Sequence, residues 1–514
     1  MAIRRFLWLI ACCIFANFSL TLAATSLGFE VPSIPWKECG EQLLCGNLTV
    51  PLDWSRPDGP RIQLYVNKLE AKAKDSPEHL GTLFFEPGGP GLSGSRDVSQ
   101  FTRFEGMGLL ERYDMVGLDP RSVGFSSPLI CDDRILGDKF PGWPYTQSKF
   151  QSLSQRNRKF AQSCVDLSGE LAMHVDTASV AKEPEALRAV LGAPKLNLLA
   201  FSYGTQLAAT YISLFPESVG RIVMDGNLDH TTDRIIAFTS EAKTVEACFG
   251  RWADWCARNE TCTFRSQTQP NTRKLFAGLL ADIDSGNLKL EFTPNCEPVG
   301  CGSQRLTGDD IVRVVRGFLY SPDYDWPGLG RALDALQHGD PGPLMSHGER
   351  MDKPPKTDPP TNTEQAGVVV TCLDFDYAKS FPQFQQLREL GRSIAPLTRG
   401  HLTQSGINNI ECTGFPFTRP PDAMQKPLDI NDNNVPPVLM VQNTYDPATS
   451  YQSALNLQRQ IPNSRLLVRE GDGHISYRLS GRVRKLVDGF LLNGTMPEQR
   501  TRVMSSSMGE GYGT

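Results

Sequence analysis

The sequence predicts an α/β protein whose mostly parallel central sheet carries a large, mainly helical lid insertion. Three observations point there: short apolar runs alternate with helix-like segments, the rhythm breaks after Asp225, and it returns at Val438. The runs are Ile62 to Val66, Thr82 to Phe85, Tyr113 to Leu118, Leu196 to Ala200, Arg221 to Met224, Val438 to Val441 and Leu466 to Val468. Each is bounded by Gly, Pro, Asp or Asn, residues that end strands and open turns. In the break, Glu241 to Asn259 reads as a helix with Val245, Phe249, Trp252 and Trp255 near one face. Gly308 to Leu319 reads as another, with Ile311, Val314, Val315 and Phe318 at helical spacing, and Lys353 to Thr361 reads as a mobile loop. At 514 residues the chain exceeds the size at which one core stops growing. The expected organisation is a leader over 1–24, a first core part over 25–227, a lid over 228–434 and a second core part over 435–514.

The leader follows the order of a secretory signal peptide. Arg4 and Arg5 precede an apolar run from Phe6 to Ala16, and small residues follow at Ala23 and Ala24. An uncleaved membrane anchor is the alternative, but the run is short for a span and Asn17 interrupts it. The expectation is a secreted, extracellular product without stable membrane association once the signal is removed. Cysteine usage agrees with an oxidising compartment. Of thirteen cysteines, Cys12 and Cys13 lie in the leader. The expected pairs are Cys39 with Cys45, Cys131 with Cys164, Cys256 with Cys262, Cys296 with Cys301, and Cys372 with Cys412, which leaves Cys248 over. Sequons at Asn47, Asn259 and Asn493 permit N-glycans in a eukaryotic source. No CxxC pairs with a second CxxC or with spaced His residues, so no metal site is expected. A net charge of -5 leaves no basic footprint for nucleic acid.

The chemistry-bearing signals lie at the ends of the strand-like runs. The first is Leu198 to Thr205, where an apolar strand enters Ser202 and a helix-like segment, Gln206 to Phe215, leaves it. This is the context of a nucleophile elbow, a turn so tight that positions two residues either side must be small. Gly204 meets that need, and Ala200 stands where the first Gly is usual. The second is Glu86-Pro87-Gly88-Gly89-Pro90-Gly91, a turn that can aim backbone N–H groups at a ligand. Gly89 and Tyr203 are the expected oxyanion donors. The third is Asp446 after the run ending at Val441, followed by His474 in a Gly-rich loop after the run ending at Val468. Ser202, Asp446, His474 is the nucleophile–acid–base order of an α/β-hydrolase. Among seven histidines, His474 alone sits after the last strand in such a loop. Asp472 and Asp225 are rival acids.

Together these segments resemble the secreted tripeptidyl-aminopeptidase branch of the α/β-hydrolases, related to prolyl iminopeptidases. The resemblance rests on Cys45 to Trp54, Pro87 to Gly91, Gly117 to Arg121, Ser202 to Thr205, Phe215 to Val219, Met224 to Gly226 and Asp446-Pro447. The chain departs from that pattern at Glu86, where Asn is usual, at Ser122, where Gly is usual, and at Thr449-Ser450, where Thr-Pro is usual. The resemblance implies a cofactor-free serine exopeptidase that releases short N-terminal pieces of peptides, with a lid that excludes folded proteins. Such an enzyme must hold an α-ammonium, for which Glu86 or a lid carboxylate would serve. An esterase, lactonase or amidase acting on a small molecule would use the same residues. A non-catalytic binding protein is the third reading, and the full set of Ser, Asp and His argues against it.

Overall fold

The computed structural model describes residues 27–28, 30–100, 108–136, 143–265, 271–293, 303–352, 363–400, 403–417, 427–428, 430 and 435–505. The leader, the 353–361 segment and the Cys296–Cys301 pair lie outside them. The strands are β1 (Lys37–Gly40), β2 (Leu43–Pro51), β3 (Arg61–Leu69), β4 (Thr82–Glu86), β5 (Asp114–Leu118), β6 (Leu196–Phe201), β7 (Val219–Asp225), β8 (Glu291–Phe292), β9 (Gln304–Arg305), β10 (Val438–Tyr445), β11 (Ser464–Asp472) and β12 (Arg502–Met504). All but β8 and β9 form one sheet in the order β1-β2-β3-β5-β4-β6-β7-β10-β11-β12. The β1, β2, β3 and β5 neighbours pair antiparallel, and every pair from β5 to β12 is parallel.

The central strands are buried on both faces, which explains why they read as continuous apolar runs. Their side chains alternate between two cores, as the strand period of two requires. In β6, Leu196, Leu198 and Ala200 face a core built with helices 147–168, 177–190 and 204–214. Leu199 and Phe201 face the other, built with helices 94–99 and 481–493. Strands β7 and β10 are neighbours in space, yet the whole insertion separates them in sequence. That insertion has two kinds of packing. Residues from Val245 to Met345 form a hydrophobic cluster of their own around Phe249, Trp252 and Leu329. Val368 to Leu373, Cys412 and Phe415 instead pack into the sheet's own core.

The two insertion helices read from the sequence are present with shifted bounds. One spans Arg234–Arg258 and starts earlier than expected, because Asp233 caps it through the N–H groups of Ile235 and Ile236. The other spans Gly308–Val315 behind a capping box of Thr307 and Asp310, then tightens into a 3₁₀ turn over Arg316–Leu319. Disulfides join Cys39 to Cys45, Cys131 to Cys164, Cys256 to Cys262 and Cys372 to Cys412, and Cys248 is a buried free thiol. Asn47 and Asn493 are exposed and Asn259 is half-buried. Among the described residues, no helix is long and apolar enough to cross a membrane, and no cluster of His, Cys, Asp and Glu is arranged to hold a metal ion.

Candidate active site

Ser202 sits between β6 and helix Gly204–Leu214 with φ of 55°, a left-handed conformation that costs a non-glycine residue about 1–3 kcal/mol. Its surroundings hold it there. The Ser202 N–H donates to the carbonyl of Asp225 at 2.9 Å, and the Thr205 hydroxyl donates to the Ser202 carbonyl at 2.6 Å. A Cβ on Gly204 would lie 2.6 Å from Glu86 Cγ, so the turn admits only glycine at that position. Ala200 is fully buried in the sheet core.

The Gly-rich loop crosses directly over this turn. Gly88, with φ of 97°, makes the closest approach: a Cβ there would lie 2.4 Å from the Phe201 carbonyl oxygen and 3.1 Å from both Ser202 Cβ and Tyr203 N. The N–H of Gly88 donates to Glu86 Oε1 at 3.1 Å. Among the described residues, the N–H groups of Gly89 and Tyr203 donate to no protein acceptor.

Asp446 and His474 meet at the ends of β10 and β11. His474 Nδ1 lies 2.8 Å from Asp446 Oδ2 and 2.9 Å from Oδ1. A carboxylate only accepts, so Nδ1 carries the proton and Nε2 is left as the ring's acceptor. The Asp446 side chain is fully buried, and Oδ1 also accepts from the N–H groups of Ala448 and Thr449, both at 2.9 Å. The imidazole lies beside the elbow's anchor, since a Cβ on Gly226 would be 3.0 Å from His474 Cε1. The insertion closes the other side. The His474 N–H donates to the Tyr320 carbonyl at 2.9 Å, the Tyr320 ring stands edge-on to the imidazole at 5.2 Å, and Arg316 donates to the Pro447 carbonyl. Ile475, next in the chain, is a second strained residue, with φ of 69°.

The rival acids have other partners. Asp472 binds Arg251 of the insertion through two bonds of 2.5 and 2.7 Å, and that guanidinium stacks on Tyr445 at 4.1 Å. Asp225 is fully buried and accepts from the N–H groups of Ser476 and Tyr477 at 3.1 and 2.7 Å, which ties the His474 loop to β7. Burial pushes its carboxyl up to about 6, against the pull of those two bonds.

Glu86 is turned into the protein. It is 7% exposed, packed under Gly204, and burial pushes it up to about 8. The expected recognition role for Glu86 would need a surface that this burial leaves small. Sequence reasoning missed Tyr320 and Arg316, which act at the site through a carbonyl and a guanidinium, and Asp374, which reaches Tyr203 through Thr177.

Comparison with known proteins identifies the family. Residues 81–274 match the family described as "alpha/beta hydrolase fold", and residues 402–503 match "TAP-like protein". The chain is 30% identical to a tripeptidyl aminopeptidase of Streptomyces lividans, covering 90% of this chain and 84% of that protein. It is 28% identical to the serine protease Hip1 of Mycobacterium tuberculosis, over 93% of this chain and 91% of that one. It is also 28% identical to carboxylesterase B of Mycobacterium tuberculosis, over 92% and 90%. Fold and sequence likeness along nearly the whole chain lead to one conclusion: the protein belongs to the TAP-like, tripeptidyl-aminopeptidase-related family of α/β-hydrolases.

Proposed function

We propose that the protein is a secreted serine exopeptidase that releases short N-terminal pieces of peptides, with Ser202 as nucleophile, His474 as base and Asp446 as its orienting acid. The observation that carries the peptidase reading is the 30% identity to a tripeptidyl aminopeptidase over 84% of that protein's length. The Asp446–His474 pair, whose imidazole lies against Gly226, and a strained Ser202 bonded to the adjoining Asp225 carbonyl support the residue roles. His474 Nε2 takes the proton of Ser202 Oγ as that oxygen attacks the scissile carbonyl, and Asp446 stabilises the imidazolium without taking a proton itself. The N–H groups of Gly89 and Tyr203 bind the tetrahedral oxyanion. His474 then protonates the leaving amine, an acyl group stays on Ser202, and water repeats the cycle. No metal or organic cofactor enters this scheme.

Residues 25–227 and 435–514 form the catalytic domain, and 228–434 form a cap that admits short peptides. The leader-like start and the disulfides support secretion. The likeness to a carboxylesterase keeps a second reading, an ester- or amide-cleaving enzyme acting on a small molecule. Turnover of free and N-acetylated tripeptidyl p-nitroanilides, and of p-nitrophenyl acyl esters, by wild type and Ser202→Ala separates the two. The peptidase reading expects loss of all turnover in Ser202→Ala and strong preference for the free amine. Equal cleavage of N-acetylated and free peptides overturns the aminopeptidase reading, and ester cleavage alone establishes the second.

A further inference from the structure

We propose that Asp374, carried by the insertion, is a positioning residue for the oxyanion donor Tyr203, acting through the hydroxyl of Thr177. The inference rests on the proposed role of the Tyr203 N–H, and it adds a part of the machinery that lies in no motif of the catalytic loops.

The chain of bonds has a defined direction. Thr177 Oγ1 donates to Asp374 Oδ2 at 2.5 Å, because a carboxylate can only accept. With its proton committed there, Thr177 Oγ1 accepts a hydrogen bond from the Tyr203 hydroxyl. The Thr177 N–H donates to the second Asp374 oxygen at 3.0 Å, and the Gln206 amide reaches both Thr177 and Asp374 at 3.4 Å. Asp374, Thr177, Tyr203 and Gln206 are all at least nine-tenths buried. Burial and the nearby Asp374 charge hold the Tyr203 hydroxyl far above its ordinary range, so it stays a neutral donor.

Two features mark this arrangement as more than packing. Asp374 is the last residue of helix Thr363–Asp374, where a carboxylate opposes the helix dipole, yet it is buried there. It is accommodated because it caps the start of helix Thr177–Val190, whose first N–H and hydroxyl it binds. The same insertion helix also reaches the other donor segment. A Cβ on Gly367 would lie 2.9 Å from the Pro90 carbonyl, next to Gly89. Gly367 and Asp374 are two helical turns apart, roughly 10 Å along the axis at 1.5 Å per residue. One rigid element, bonded to Cys412 through Cys372, therefore abuts both segments whose N–H groups must converge on one oxygen.

The Tyr203 amide follows a strained Ser202 and opens helix Gly204–Leu214, so its N–H has no helical carbonyl to donate to and its aim is set by what holds the residues around it. Thr205 pins its carbonyl side through the bond to Ser202 O, and the Tyr203 ring, tied to Asp374, pins the other. Loss of the tie lets the N–H drift from its aim, and the loss is felt where charge develops, not where substrate binds.

The test is inactivation of the full-length protein by an alkyl fluorophosphonate, whose phosphoryl oxygen occupies the oxyanion position during attack. The maximal rate kinact and the half-saturation constant KI are measured for wild type, Tyr203→Phe, Thr177→Val, Thr177→Ser and Asp374→Asn. The expected result is a fall in kinact of about ten-fold in Tyr203→Phe, Thr177→Val and Asp374→Asn, with KI within two-fold and near wild-type rate in Thr177→Ser. Should Asp374→Asn not fold, Tyr203→Phe decides, since it removes one hydroxyl and keeps the ring. Values of kinact within two-fold of wild type in every folded variant overturn the proposal, as does a loss of labelling that merely follows the loss of folded protein. A wild type that is not labelled at Ser202 overturns the proposed function itself, so the two failures are distinct.

Discussion

Replacing Asp446 with Asn isolates what this carboxylate does for His474. Oδ1 of Asp446 accepts two backbone N–H groups at 2.9 Å, from Ala448 and Thr449. In Asp446→Asn the amide oxygen must take that position, because an NH₂ group there would leave buried donors facing donors at about 1–3 kcal/mol each. The Asn nitrogen then falls where Oδ2 stands, 2.8 Å from His474 Nδ1. It donates, and an Nδ1–H facing it would be repelled even with the amide oxygen 2.9 Å away and already taken by two N–H groups, so Nδ1 becomes the acceptor and the ring proton moves to Nε2. That tautomer cannot take a proton from Ser202. A wrong tautomer in an otherwise intact geometry lowers kcat about 10⁴-fold, which is about 5.4 kcal/mol at 1.36 kcal/mol per decade. Volume and both backbone bonds are kept, so the melting temperature should change by only a few degrees. The assay is steady-state turnover of a tripeptidyl p-nitroanilide, normalised to folded protein by circular dichroism. A fall of less than ten-fold in kcat, with folding intact, would refute the assigned orientation of His474.

Three further outcomes follow from the same geometry. Gly88→Ala places a methyl 2.4 Å from the Phe201 carbonyl at a φ of 97°, so the loop must lift off the elbow; kcat should fall on the order of 10²–10³-fold with a smaller change in KM, and retained kcat would contradict the contact. Burial raises Glu86 from its ordinary 4.5 to about 8, so the folded chain keeps a proton that the unfolded chain releases; this stabilisation is full below pH 4.5 and is lost as pH rises through 8. Glu86→Gln keeps the acceptor for the Gly88 N–H and cannot ionise, so the variant should gain stability relative to wild type between pH 5 and pH 8.5, and a pH-independent difference in melting temperature would argue against a protonated Glu86. Arg121→Met leaves Glu183, fully buried and bonded to Arg121 at 2.5 Å, without its counter-charge; unfolding in urea should show a loss of about 3–5 kcal/mol, partly recovered in Arg121→Met/Glu183→Leu, and a loss below about 1 kcal/mol would refute the pairing.

What the sequence disclosed and what it hid differ in kind. The strands flanking Ser202, Asp446 and His474 were legible because central parallel strands are buried on both faces and so are written as apolar runs. The elbow and the Gly-rich loop were legible because a left-handed turn and a close backbone approach constrain residue type over a few adjacent positions, as Gly88 and Gly204 show. The burial of Glu86 was not legible because its environment is set by Gly204, far along the chain, and not by its neighbours in sequence. Tyr320 left no signal at all, since its backbone carbonyl does the holding and any residue carries one. The Thr177–Asp374 bond joins positions 197 residues apart, beyond the reach of any local pattern. The early start of helix Arg234–Arg258 was hidden for a smaller reason: Asp233 is its cap, but the apolar stripe becomes strong only near Phe238 and Val245.

The chain leaves the sheet at β7 and returns at its neighbour β10, so the whole insertion is attached at two adjacent points. An insertion attached this way invites exchange as a module between relatives of different specificity. Here its contacts with the segments that carry Tyr203 and His474 set the terms of such an exchange. The Tyr320 contact runs through the main chain and would survive a change of side chains if the backbone path were kept. The Asp374 contact is chemical and would not survive. A chimera that imports a foreign insertion would therefore need a carboxylate at this position, or a compensating change at Thr177 and Tyr203, before its new pocket could be judged by its turnover.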